Sequence, residues 1–231
     1  MRKHCPLLWR KSNPRSYRFP IPNSIWEYKL KPKAFTVLCY LVYRNSSDNG
    51  APLMVEQIVG GIHMSKAVVK RTLDTLRSVG LVNEDSVLTD AVRDLSAGFF
   101  SLPNEVFLLP LSPGALSVYA YLLRCKDCRT HQCHPSYKTI RAHTGMAVST
   151  AEKYVVELVE TGLISVEPSG YFRHGLKRNG NNTYTILPVR KAVEAHYQRQ
   201  FHQVERDAAQ WWAQRRRGTQ HPRPERHEGT L

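Results

Sequence analysis

Apolar residues recur along this chain with helical spacing, in two blocks of similar design. In the first, Phe35, Leu38, Cys39 and Val42 fall at i, i+3, i+4 and i+7. That is the spacing of one buried helix face, and Pro32 suits the first turn of such a helix. Residues 46–52 read as a loop, 55–59 as a short helix and 60–64 as the next turn. Ser65 is a suitable N-cap for a helix over 66–79 that Gly80 ends, and Val69, Leu73 and Leu76 form its buried seam. Leu81-Val82 and Val87-Leu88 read as a small ribbon. In the second block, residues 135–140 open a short helix and 143–146 read as a turn. A second helix over 148–161 closes at Gly162, and strand-like pieces follow at 163–167 and 183–187. A basic loop rich in Gly and Asn joins those two pieces.

The blocks share residues as well as spacing. Leu102-Pro103-Asn104-Glu105-Val106-Phe107 repeats Ile21-Pro22-Asn23-Ser24-Ile25-Trp26, and Pro113, Ala115, Tyr121 and Leu122 stand where Pro32, Ala34, Tyr40 and Leu41 stand, at an offset of 81. Further on the offset is 82, pairing Met64 with Met146, Leu76 with Leu158, and Gly80-Leu81-Val82 with Gly162-Leu163-Ile164. Self-similarity of this length means one supersecondary unit used twice. Helix, tight turn, helix and ribbon in that order make a winged helix-turn-helix. The expected fold is therefore mainly α with small β-wings: tandem winged helix-turn-helix domains plus a C-terminal helix. The partition is a flexible basic arm at 1–18, a first winged helix with linker at 19–100 and a second at 101–188. A C-terminal helix at 189–217 and a disordered tail at 218–231 complete it. Ala192, Ala195, Ala208, Trp211 and Trp212 punctuate that polar helix. It serves either to form a homodimer or to fold back on its own domain.

Charge sharpens the picture. The 231 residues carry a formal net charge of +14, concentrated at the ends: Arg2, Lys3, Arg10, Lys11, Arg15 and Arg18 in the arm, and Arg215-Arg216-Arg217 near the C-terminus. Basic ends on a near-neutral body suit a polyanion, and attraction to any acidic surface is the bland alternative. A hydrophobic fraction of 42% fits a folded chain. No apolar run approaches the roughly 18 residues of a membrane span, and residues 5–9 are too short for a signal peptide's apolar core. The expected compartment is the cytoplasm, with no membrane partner.

Helical phase then selects candidate DNA contacts. With the first seam inward, Lys66, Ala67, Lys70 and Arg71 turn outward near the start of their helix, the end that enters a major groove. Lys and Arg there can donate to guanine O6 and N7 or to phosphate. The second helix turns Val148, Ser149, Glu152 and Lys153 outward, and Glu152 could accept from cytosine N4. Tyr137 and Lys138, at the start of the preceding helix, join the set. In the second wing, Arg173, Lys177 and Arg178 supply cations, and Asn179 and Asn181 supply amides for sugar or base edges. A solvated charged face is the alternative for each helix.

The five cysteines, with no secretory signal, read as reduced thiols. Cys125, Cys128 and Cys133 lie beside His131 and His134, but all within ten residues, whereas zinc sites usually pair two ligand pairs across a longer loop. Helix packing accounts for Cys125, and no metal or other cofactor is expected. No phosphate-cradling Gly-x-x-x-x-Gly-Lys-Ser/Thr, metal-nuclease cluster or nucleophile elbow is present. Tyr171 and Tyr184 lack the His-rich motif of a relaxase, so no enzyme is expected.

Residues 102–107, Ser117-Val118-Tyr119-Ala120-Tyr121-Leu122, Pro135-Ser136-Tyr137-Lys138-Thr139-Ile140 and Lys177-Arg178-Asn179-Gly180-Asn181 together resemble helix-turn-helix proteins of Gram-positive bacteria and their mobile elements. These are similar in plan to the winged-helix domains of plasmid and phage replication initiators. The resemblance covers about residues 100–190 well and 19–85 more loosely, and it implies binding to double-stranded DNA. The resulting expectation is a sequence-specific DNA-binding protein acting as a transcriptional regulator. A replication initiator and a winged-helix scaffold for protein interactions are the alternatives.

Overall fold

A computed structural model describes residues 17–47, 52–173 and 176–218. Most of the expected basic arm and the expected tail beyond residue 218 lie outside the described residues. The first half runs β1 (Arg18–Pro22), a 3-10 turn (Asn23–Tyr28), α1 (Pro32–Ser47), α2 (Val55–Ile62), α3 (Lys66–Ser78) and the short α4 (Asp90–Arg93). The second half restarts with β2 (Phe99–Pro103), a 3-10 turn (Asn104–Leu108) and α5 (Pro113–Cys125). It continues through β3 (Gln132–Cys133), α6 (Tyr137–Thr144), α7 (Val148–Thr161), β4 (Ile164–Glu167), β5 (Gly170–Arg173), β6 (Leu176–Asn179) and β7 (Thr183–Ile186), ending in α8 (Val189–Gly218). Residues to Ala192 make one compact unit, and a second begins at Val193.

Two elements were not legible as strands. β1 and β2 pair antiparallel, with Arg18 opposite Pro103, Phe19 opposite Leu102, Pro20 opposite Ser101, Ile21 opposite Phe100 and Pro22 opposite Phe99. Three prolines in ten residues argue against a strand in sequence. All three, Pro20, Pro22 and Pro103, share one parity of the ladder, where no N–H is demanded. The register also respects the repeat: shifting both strands by 81 residues maps the ladder onto itself, with Pro20 and Ser101 at its centre. The two halves are thus related by a local pseudo-twofold axis through that pair.

The aromatic core obeys the same axis. Trp26 meets Tyr121 edge-on at 5.3 Å, and their counterparts Phe107 and Tyr40 do the same at 5.3 Å. Phe19 stacks on Phe107 at 6.0 Å and Phe100 on Trp26 at 5.9 Å. Each half inserts an aromatic ring into the other, so the halves share one core. This explains α1 and α5. A single buried stripe was expected for α1, yet every residue from Ala34 to Val42 is buried, as is every residue from Gly114 to Leu123. The two helices pack on each other as well as on their own helix-turn-helix, and a helix covered on all sides is apolar all round.

Around this centre each half places two further helices joined by a tight turn, α2 and α3 in the first and α6 and α7 in the second. Ser65, Ser112 and Ser136 accept from the backbone N–H groups of Val68, Ala115 and Thr139 and so cap α3, α5 and α6. Left-handed residues end the helices, with Gly80 and Gly162 at φ 76° and 82°. The first turn differs from expectation: α2 continues through Gly60 and Gly61, and the left-handed residue is His63 at φ 52°, the counterpart of Gly145 at φ 69°. Within that helix position 61 takes glycine because the Tyr40 ring occupies the place of a side chain there. A Cβ on it would lie 2.1 Å from that ring. The counterpart pair, Tyr121 and His143, stacks at 4.8 Å.

The expected ribbon after α3 is one bridge, Val82 to Leu88. The second wing is larger than expected. β7 lies between β3 and β4 in a three-stranded antiparallel sheet, and the segment read as a loop forms its own hairpin, β5 with β6. His174 and Gly175 lie outside the described residues. Considered alone, the second unit is the body of α8. Tyr197, Phe201, Val204, Trp211 and Trp212 are all exposed on it, and the Arg215 guanidinium lies 4.8 Å over the Trp211 ring.

Candidate nucleic-acid interface

The α2–α3 pair presents the face that helical phase predicted: Lys66, Ala67, Lys70 and Arg71 are exposed at the N-terminal end of α3, while Val69, Leu73 and Leu76 are buried. The free N–H groups and dipole at that end add a partial positive charge. The structure qualifies Lys66, whose Nζ lies 2.5 Å from Glu56 Oε1 on α2. The hydrogen bond and charge of Lys66 hold the Glu56 carboxyl below its usual pKa. Lys66 is thus partly neutralised, and Lys70 and Arg71 carry more of the expected attraction. The wing that follows is short and acidic at its tip, Glu84-Asp85. Arg77 pins it, donating to the carbonyls of Asn83 and Glu84 and to Ser86 Oγ while paired with Asp74 at 2.9 Å.

The second helix-turn-helix inverts this distribution. On α7, Ser149, Glu152 and Lys153 are exposed and Val148 is half-buried. Val156 continues their face and is 55% exposed, a position that sequence reasoning passed over. Its spacing of three and four residues from Lys153 and Glu152 was the available signal. An apolar group there can contact a thymine methyl. At the start of α6, Lys138 is exposed and occupies the place of Glu56 in the first half. Tyr137 is less a free contact than an anchor, because its hydroxyl accepts from Asn182 Nδ2 at 3.4 Å at the root of the wing. His134 joins Thr183 Oγ1 at 3.1 Å and Gln132 joins Thr185 Oγ1 at 3.3 Å. The Asn182–Tyr137 bond ties the wing's base to α6, and the other two brace β3 and the residue after it against β7.

Beyond that base, Ser169 Oγ donates to the Asn181 carbonyl and Gly180 N donates to the Ser169 carbonyl at 2.7 Å. This neck positions the hairpin, in which Tyr171 pairs with Arg178 and Phe172 with Lys177. Arg173, Lys177, Arg178 and Asn179 therefore stand on strands, whereas the exposed Asn181 is part of the neck.

The cysteines correct one expectation. Cys125 is exposed at the end of α5, outside its buried face, and its thiol hydrogen-bonds with the Tyr121 side chain. Cys133 is buried, its thiol donating to the Leu122 carbonyl at 3.6 Å, and burial pushes its pKa up to about 12. Among the described residues no three His, Cys, Asp or Glu side chains are grouped to hold a metal ion. Tyr184 is fully buried and cannot reach a DNA phosphate.

Residues 109–164 match the family model of a helix-turn-helix domain. No curated protein matches the chain. The matched segment spans α5, β3, α6 and α7 and stops at the first residue of β4, so family match and geometry agree on a helix-turn-helix domain, a DNA-binding class. Among the described residues, no helix is long and apolar enough to cross a membrane.

Proposed function

We propose that this protein binds double-stranded DNA sequence-specifically through two winged helices and acts as a transcriptional regulator. The observation that supports it best is the exposed row Lys70 and Arg71 at the N-terminal end of α3, in a half whose counterpart carries the matched helix-turn-helix domain. Cations there meet guanine edges or phosphates once a helix end enters the major groove. The cytoplasm of a bacterium is the setting that the resemblance suggests, and the reading calls for no catalytic residue or cofactor. The exposed apolar residues of α8 support self-association, which sedimentation of the full chain measures.

Selection of genomic fragments on the purified protein at about 150 mM salt tests the reading, followed by a salt titration on the winners. A recovered motif held well above random duplex supports it. Featureless binding that collapses with salt counts against it and turns attention to a protein partner. A second reading, a replication initiator of a plasmid or mobile element, draws on the resemblance of residues 100–190. Clustered copies of the motif beside the encoding gene favour it.

A further inference from the structure

The two halves are related by a pseudo-twofold axis, yet their charges are distributed in opposite ways. In the first half the helix is basic and the wing acidic: Lys70 and Arg71 on α3, Glu84 and Asp85 on a tip that Arg77 ties down. In the second half the helix is acidic on balance, Glu152, Glu157 and Glu160 against Lys153, and the wing is basic. The places of Lys66, Lys70 and Asp74 are taken by Val148, Glu152 and Val156, that of Arg71 keeps a cation in Lys153, and the hairpin carries Arg173, Lys177 and Arg178. Even α2 and α6 exchange sign, Glu56 for Lys138.

We propose that one chain binds an imperfect palindrome in two unlike ways, reading one half-site with the cations of α3 and holding the other through the β5–β6 hairpin. This rests on the DNA-binding reading above and deepens it. Two elements related by a twofold axis meet a duplex in opposite orientations, so their half-sites are inverted, as in symmetric helix-turn-helix dimers. Here both copies lie in one chain. The axis comes from the β1–β2 register and the aromatic pairs, not from assembly. The α3 half-site is rich in guanine contacts, because Lys and Arg donate to O6 and N7. On the other half-site, hairpin cations act mainly through phosphate, while α7 offers a carboxylate and the Val156 methyls, groups suited to cytosine N4 and to thymine. An acidic first wing could not duplicate the second wing's backbone contact.

The test uses the full chain and a duplex recovered by selection. Expected is binding of one chain per pair of inverted half-sites, with affinity falling about tenfold or more when one half is reversed into a direct repeat. Lys70→Ala should reduce discrimination at one half-site only, by about five- to a hundredfold. Lys177→Ala should weaken all sequences alike, reduce the salt slope by about 1, and remove backbone protection over the other half-site. Circular dichroism melts of both variants establish that they fold. Should Lys177→Ala disturb folding, Lys177→Gln provides the same loss of charge. A selected motif that is a direct repeat or a single half-site, or two variants with indistinguishable footprints, overturns the proposal while leaving DNA binding intact. Absence of any selected motif removes the underlying function reading itself.

Discussion

Pro20 faces Ser101 across the β1–β2 ladder, and each occupies the other's position in the internal repeat. An antiparallel pair whose centre maps onto itself is what a symmetric dimer forms at its axis. Here one chain forms it with its own second half. Proline at that centre is compatible because its pair exchanges no N–H, and the same parity covers Pro22 and Pro103.

The ladder therefore tolerates proline at one parity only. Ser101→Pro should change stability by no more than about 1 kcal/mol, since Phe100 before it is already extended. Leu102→Pro removes a ladder donor between the two halves and most of a fully buried side chain, and should cost about 2–5 kcal/mol. Denaturant unfolding of the two variants checks the contrast, and equal losses would contradict the register.

Tyr40 and Gly61 form the second testable pair. Because a Cβ on Gly61 would meet the Tyr40 ring, Gly61→Ala should destabilise by about 1–3 kcal/mol through overpacking. Tyr40→Ala removes the obstacle, so the double variant should lose less than the two single losses together. An additive double-mutant cycle would count against the contact.

The Glu56–Lys66 pair predicts a functional gain. Glu56→Gln releases Lys66 from its partner and removes a negative charge beside the N-terminal end of α3. Affinity for duplex DNA should rise and its salt dependence steepen. Fluorescence anisotropy at several salt concentrations measures both. Weaker binding would show that Glu56 positions Lys66 and does not compete for it.

His143 offers a pH test. Burial and then the nearby Arg124 charge lower its pKa below the usual value, as it stacks on Tyr121. Above about pH 6.5 the imidazole is neutral whether the chain is folded or unfolded and contributes nothing. As pH falls through 6.5 the unfolded chain binds the proton more readily, so stability is lost, and the loss levels off below the folded-state pKa. His143→Gln should flatten this part of a Tm-against-pH curve.

Much of the helical order was legible. The seam Val69–Leu73–Leu76, the cap Ser65, and the stops Gly80 and Gly162 are local devices, each acting within a turn of its own helix, and all appear where the residues place them. The exposed faces Lys66–Arg71 and Ser149–Lys153 follow from those seams by helical phase alone. Reach was the limit elsewhere. Gly60-Gly61 looks like a turn until Tyr40, some twenty positions earlier, fills the space of a side chain. Cys125 looks like packing, but the buried thiol is Cys133.

By itself the sequence determined the repeat, the helices and the uneven distribution of charge between the halves, because these depend on composition and short-range period. Tertiary structure alone decided that the halves pair about an axis. That depends on β1 finding β2 about eighty residues away, and proline-rich strands carry almost no local β signal. It also decided that α1 and α5 are buried on every side, because only the assembled core covers the faces that each half leaves open.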